Sequence, residues 1–411
     1  MKRIWIINYY SVPPEYTSNP RHIELSVFLK KLGYEVILIG ASYIADKKIN
    51  LIDSNEKYLK TQYGTHDFIH IKVKSYTGNG LSRMYSIFQF GWNIRKFSKY
   101  FPKPDVVIHN IHMPFDYAIV CAVKKLNAKY IAEAWDLWPD SFVRFGLIGK
   151  SNPLTKIAYQ FEKNAYYSAD NIIFSFEGGI DYLRLKKWTR DTGGKINEKN
   201  VFYINNGVNL KSFQENIISY KSEDKDLSNN NYYYVTYIGS MQLVNDLMKL
   251  LDAAELLKKY KKIKFLLYGD GSDREALEQY CQDKKITNVI FKEKWVPLTH
   301  VPYILSKSSL NIMNYQQDFG IYGVSSGKLF QYLAAGKPIC ANIKMNYCII
   351  TRNNIGIAKN FIDANEYSDA ILSLLPFEQH SYNEMCKRVI ETSKEFDFPV
   401  LFKKIIQVIE Y

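Results

Sequence analysis

The residues with most chemical promise run from 325 to 339: Ser-Ser-Gly-Lys-Leu-Phe-Gln-Tyr-Leu-Ala-Ala-Gly-Lys-Pro-Ile. The small residues Ser325, Ser326 and Gly327 lead into a helix, so backbone N–H groups and a positive helix end face whatever precedes it. That arrangement holds a diphosphate. Lys328 in the first turn adds a full charge, and Gln331, three residues on, projects from the same face. The bland alternative is a core helix with small residues for packing. Gly269-Asp270-Gly271 closes a strand and precedes a helix, a weak signal because such turns often only join elements. In the first half, His112 follows a strand and precedes Met113-Pro114, whereas His109 lies on the strand and reads as core. Glu133 and Asp136 end another strand beside Trp135 and Trp138. Carboxylates placed so can orient a hydroxyl or take its proton; the alternative is a helix cap with a salt bridge to Arg144. Arg21 and His22 open a helix and can meet an acceptor phosphate there.

No G-x-G-x-x-G follows the first strand, where Asn8 to Pro14 stand instead, and no P-loop occurs. Both absences weigh against a dehydrogenase and a P-loop kinase. Cys121, Cys281, Cys340, Cys348 and Cys386 form no C-x-x-C pair and read as reduced thiols of a cytosolic protein. No metal and no cofactor are expected.

These residues need elements to hold them. Short β-branched runs alternate with amphipathic stretches along all 411 residues, the pattern of doubly wound α/β sheets. Strands are predicted at 4–8, 36–40, 69–73, 106–110, 130–133, 171–175 and 201–204, with helices at 21–32, 82–100, 115–125, 154–168 and 177–187. A second series has strands at 234–238, 264–268, 289–291, 310–313 and 338–341, and helices at 247–260, 273–284 and 327–335. The expected organisation is a Rossmann-like domain over 1–210, a polar linker over 211–231, and a second Rossmann-like domain over 232–390. A last helix, within 391–411, is expected to pack back on the first domain. Such domains bind ligands at the carboxyl ends of their strands, in a deep crevice. The opening Met-Lys-Arg then Ile4–Ile7 is too short for a signal peptide, and no run is apolar enough to cross a bilayer.

Residues 1–210 carry 29 Lys and Arg against 18 Asp and Glu, while 211–411 carry 25 against 23. The excess in one half points to an anionic partner. The stretch 82–103 interleaves Tyr85, Phe88, Phe90, Trp92 and Phe97 with Arg83, Arg95, Lys96, Lys99 and Lys103, which suits an anionic membrane interface. No nucleic-acid recognition fold accompanies it.

The run G-K-L-F-Q-Y-L-A-A-G-K-P-I resembles the signature of family 4 glycosyltransferases of the GT-B fold, in particular the WbuB-like bacterial polysaccharide enzymes. Ser18 to Leu25, Pro104 to Ile108 with His112-Met113-Pro114, Glu133-Ala134-Trp135-Asp136-Leu137-Trp138-Pro139 and Asn205-Asn206-Gly207-Val208-Asn209 resemble that group in order and spacing. The resemblance implies a retaining, metal-independent transfer of a sugar from a nucleotide diphosphate donor, UDP-linked, to a polyprenyl-diphosphate-linked saccharide for capsule or O-antigen. The enzyme would sit on the cytoplasmic membrane surface. It implies catalytic roles for His112, Glu133 and Asp136. The donor would lie on Gly239, Ser240, Gly269, Gly271, Trp295, Val296, Ser325, Ser326, Gly327, Lys328 and Gln331, and the acceptor on Arg21, His22, Arg83 and Arg95. Two departures stand out. The glutamates of the family's E-x7-E motif are replaced by Gly323 and Gln331, and the loop 240–246 lacks the usual basic residue. They leave open a sugar-nucleotide binder without turnover; a soluble or protein acceptor is a further alternative.

Overall fold

Short, almost wholly apolar runs fold as parallel strands covered on both faces, and two such sheets build this chain. The computed structural model describes every residue except Ser18, Asn79, His112, Met113, Phe145, Leu147, Asn230, Gln317, Asp318 and Phe319, and only the backbone of Pro114. Two compact units result, Met1–Asn205 with Phe402–Tyr411, and Asn206–Leu401.

The strands of the first unit are β1 (Arg3–Ile7), β2 (Glu35–Ala41), a small antiparallel pair β3 (Tyr43–Ile44) and β4 (Ile49–Asn50), β5 (Tyr58–Tyr63), β6 (His66–Ile71), β7 (Val106–Asn110), β8 (Lys129–Ala134), β9 (Asn171–Phe174) and β10 (Val201–Tyr203). Eight of them form one sheet in the order β10-β9-β8-β7-β1-β2-β6-β5. All pairs are parallel except β5 with β6. Ile4 lies opposite Val36 on one side and Val106 on the other, and Ile4, Trp5, Ile6 and Ile7 are wholly buried. The strand order reverses across β1, so the carboxyl ends of β1 and β7 flank the point where such sheets bind ligands.

The second unit has β11 (Tyr233–Ile238), β12 (Ile263–Tyr268), β13 (Val289–Phe291), β14 (Leu310–Asn314), β15 (Ile339–Asn342) and β16 (Gly356–Lys359). They form a six-stranded sheet in the order β13-β12-β11-β14-β15-β16, parallel throughout. Its reversal lies between β11 and β14, which brings Gly239 and Tyr315 to the equivalent point. Both units are therefore Rossmann-like, as the alternating pattern predicts.

The stretch expected as a linker is ordered in the second unit. Helices Leu210–Ser219 and Lys225–Ser228 occupy it, anchored by buried Phe213 and Leu227 and by Lys292, which pairs with Asp224 and Asp226. The final helix, Phe398–Glu410, crosses the boundary between units. Its later part is buried through Phe402, Ile405 and Val408, and Lys129 Nζ and Asn171 Nδ2 donate to its last carbonyls. Phe402 packs its ring 5.6 Å from that of Phe28. Phe402→Ala is expected to cost the first unit about 3–5 kcal/mol. Chemical denaturation of the full chain should show that loss.

Candidate active site

In the first unit a buried charge network gathers at the strand ends. Arg21 heads helix Arg21–Lys31 and is wholly buried. Its Nε and Nη2 donate to Glu133 Oε1 at 3.1 and 2.9 Å, and Nη1 donates to the Asn205 carbonyl at 2.6 Å. His22 Nε2 lies 2.7 Å from Glu133 Oε2, and its Nδ1 lies 3.3 Å from Asn8 Nδ2. Burial alone would raise the Glu133 pKa, but the charges and hydrogen bonds of Arg21 and His22 hold it down at about 2. Both oxygens of Glu133 are thus taken and closed off from water. This corrects two expectations. Glu133 is a positioning carboxylate rather than a base, and Arg21 is spent on it rather than offered to an acceptor.

Asp136, three residues beyond, is exposed. The expected bridge from this segment to Arg144 is made instead by Asp140, whose Oδ2 accepts from Arg144 Nε at 2.5 Å. His109 is core, its Nδ1 3.0 Å from Tyr130 Oη. His112 lies outside the described residues. Beside it in sequence, Asn110 is buried, and its side-chain amide has no partner among the described residues.

A cavity of about 540 Å³ opens next to this network. Asn8, His22 and Trp135 line it together with Tyr10, Tyr43, Tyr76 and Arg83. Arg83 Nη2 donates to Tyr10 Oη at 2.5 Å. The tyrosines escaped sequence reasoning because the chain has 33 of them with no distinguishing spacing. Arg95, expected with Arg83, stands about three helical turns further along. It is exposed over the Trp92 ring and lines no part of this cavity.

In the second unit the glycines explain themselves. Gly239 and Gly269 have φ of 149° and 126°, a region that favours glycine. A Cβ on Gly269 would lie 1.8 Å from the Gly239 carbonyl oxygen, and one on Gly271 would lie 2.1 Å from that of Met241. The two turns are therefore packed backbone on backbone at the ends of β11 and β12. A Cβ on Gly239 would meet Lys328 Nζ at 2.8 Å, so the Lys328 ammonium lies directly against this turn.

Lys328 belongs to helix Gly327–Ala334, whose N-cap Ser326 makes no side-chain capping bond. The Ser326 hydroxyl is instead engaged by Tyr315 Oη at 2.7 Å, and Ser325 Oγ accepts from the Asn206 amide at 3.3 Å. Lys328 Nζ donates to Tyr237 Oη at 3.1 Å and lies 4.5 Å from the Tyr237 ring centre and 5.3 Å from that of Tyr315. No carboxylate among the described residues pairs with it, and burial pulls its pKa down to about 7. Gln331 Oε1, one turn on, is buried with no partner among the described residues. A helix start, an unneutralised cation and an orphaned acceptor together make a receptor for an anion that also carries a hydroxyl. Ser240 is exposed beside Gly239, its Oγ donating to Asn245 Oδ1. Trp295 is 64% exposed, and Val296 packs into the core beneath it. Tyr237 and Tyr315 were not legible as site residues, since aromatic residues next to strands read as core.

These two parallel α/β units have the GT-B fold. Residues 220–396 match the family model described as Glycosyl transferases group 1. An α,α-trehalose-phosphate synthase (UDP-forming) from Burkholderia xenovorans, solved with glucose-6-phosphate, is similar over 100% of both chains, with TM-score 0.74 and 10% identity. A glycosyltransferase from Rickettsia africae ESF-5 is similar over 99% of this chain and 97% of its own, at 0.64 and 17%. HepE of Anabaena, in complex with UDP-glucose, is similar over 100% of both, at 0.64 and 13%. No curated protein matches the chain.

Two outcomes follow from this chemistry. Arg21→Met strands a buried carboxylate and is expected to cost about 3–5 kcal/mol in denaturation at neutral pH. Because the folded-state pKa of Glu133 is depressed, the wild-type contribution is complete above the ordinary carboxylate range and is lost as pH falls toward about 2. The second concerns Lys328. With its pKa drawn down to about 7 by burial, Lys328 is expected to lose its proton as pH rises above neutral and to take one up when a diphosphate binds beside it. Calorimetry with UDP at about pH 8.5, in buffers of different ionisation enthalpy, should therefore register uptake approaching one proton. Affinity should weaken as pH rises beyond 7, and Lys328→Arg should abolish the uptake.

Proposed function

We propose that the protein is a retaining, metal-independent glycosyltransferase of the WbuB-like kind, moving a sugar from a UDP-linked donor to a polyprenyl-diphosphate-linked saccharide. The product would enter capsule or O-antigen synthesis, with the enzyme attached to the cytoplasmic face of the membrane. The observation that carries this reading is Lys328. Its amine is held against the Gly239 turn by two tyrosines, with no carboxylate partner among the described residues, at the start of a helix without a side-chain cap. Leaving-group stabilisation by Lys328 and the helix amides would then supply the main term for an oxocarbenium-like transition state. Gln331 replaces the family's glutamate at the ribose hydroxyls with a neutral acceptor, worth about 1 kcal/mol less. With Glu133 committed, Asp136 and His112 remain the groups that meet the reacting sugar.

A second reading has one observation in its favour. The cavity beside Arg83 and its tyrosines is about 540 Å³, room for a single phosphorylated hexose, and the Burkholderia xenovorans relative binds glucose-6-phosphate. Product analysis with lipid-linked saccharide and with hexose phosphates separates the two.

Lys328→Ala is expected to weaken UDP binding by about 1–3 kcal/mol in calorimetry, and unchanged affinity would remove it from the site. Turnover should survive excess chelator; an enzyme silenced by chelator and restored by Mg²⁺ or Mn²⁺ would contradict the metal-free reading.

A further inference from the structure

Two helices of the first unit leave an apolar face uncovered. On helix Leu81–Phe97, Leu81, Tyr85, Phe88 and Trp92 recur at three- and four-residue spacing, hence on one side. They stay in solvent, Leu81 at 87% and Trp92 at 50% exposure. On helix Pro153–Tyr167, Leu154, Ile157 and Phe161 do the same, with Leu154 at 73% and Ile157 at 51%. The two faces are joined. The Phe88 ring stacks on Trp92 at 6.0 Å and meets Phe115 edge-on at 5.5 Å. Two residues on, Tyr117 lies 6.1 Å from Phe161. An aromatic ladder thus crosses from one helix to the other over the segment that follows β7.

The charge around this face has one sign. Residues 81–103 contain Arg83, Arg95, Lys96, Lys99 and Lys103 and no acidic residue. The second helix presents exposed Lys156, and its one acid, Glu162, is buried, accepting from Tyr182. A contiguous apolar face this large is rare on a monomeric soluble protein and marks an interaction site. With exposed cations and no exposed acid on these two helices, it complements an anionic lipid surface, into which aromatic and aliphatic side chains dip while Lys and Arg meet the headgroups.

We propose that the helices Leu81–Phe97 and Pro153–Tyr167 together form a two-helix docking face that inserts into the interface of an anionic bilayer. This deepens the membrane attachment in the function proposed above and rests on that part of it. Arg83 heads the first helix and also lines the cavity. A lipid-linked acceptor would therefore place its diphosphate at the junction of face and cavity, with its hydrocarbon along the face.

The test uses the full chain with phosphatidylglycerol-containing vesicles, against phosphatidylcholine alone. Wild-type protein is expected to co-sediment with the anionic vesicles only. Brominated lipids should quench its fluorescence, and most of that quenching should vanish in Trp92→Phe. Leu154→Glu with Ile157→Glu, on the helix whose role is new here, should lower the vesicle partition at least about tenfold, with melting temperature and UDP affinity unchanged. Partition of that variant equal to wild type, or equal binding to neutral vesicles, would overturn the proposal. So would a dimer in light scattering that the same substitutions dissolve, for then a second copy covers the face. Retained transfer to a soluble acceptor without vesicle binding would overturn the docking face alone and leave the glycosyltransferase reading standing.

Discussion

The first unit is organised around one buried contact, the guanidinium of Arg21 on the carboxylate of Glu133. Taking both charges out of water is costly, and only near-complete hydrogen bonding offsets it. Arg21 meets that condition by also donating to the carbonyls of Ile204 and Asn205, and Glu133 by also holding His22. The pair thereby ties the first helix, the end of β8 and the last residues of the unit to one point. Two cavity-lining side chains take their position from that knot: Asn8 through His22 and Trp135 by ring contact with His22 at 4.7 Å.

The second unit uses the opposite device. Where Glu133 is saturated with partners, Lys328 is left with a phenol hydroxyl and two ring faces. Tyrosine rings attract a cation without neutralising it, so the ammonium keeps its capacity for an anion while its stem stays packed. The close-fitting turns at Gly239, Gly269 and Gly271 add to this, since no side chain intervenes between backbone and whatever binds there. Burial weakens the hold of Lys328 on its proton, and an anion placed beside it would strengthen that hold.

Much of this was legible in the residues. The strands 106–110 and 289–291 were predicted to the residue, because β-branched runs bounded by turns leave little choice. The antiparallel edge strand Tyr58–Tyr63 was not seen: its half-exposed Tyr-Leu-Lys-Thr-Gln-Tyr lacks a continuous apolar run. Helix Gln379–Lys394 was missed for a similar reason, burying little beyond Tyr382 and Val389. The stretch 211–231 read as a linker because the two short helices that occupy it hang on isolated anchors, Phe213 and Leu227. At the site, Lys328 and Gln331 could be singled out from helix phase, but Glu133 looked catalytic. Sequence spacing cannot reveal that a residue 112 positions earlier saturates it.

The path of the chain between the units has a bearing on how the protein is made. The sheet of the first unit is finished by residue 203, yet that unit also includes Phe402–Tyr411, which emerge from the ribosome only after all of the second. During synthesis the surface that receives Phe402, Ile405 and Val408 therefore stays uncovered while the whole second unit is made, and the first unit completes its core only with the last ten residues.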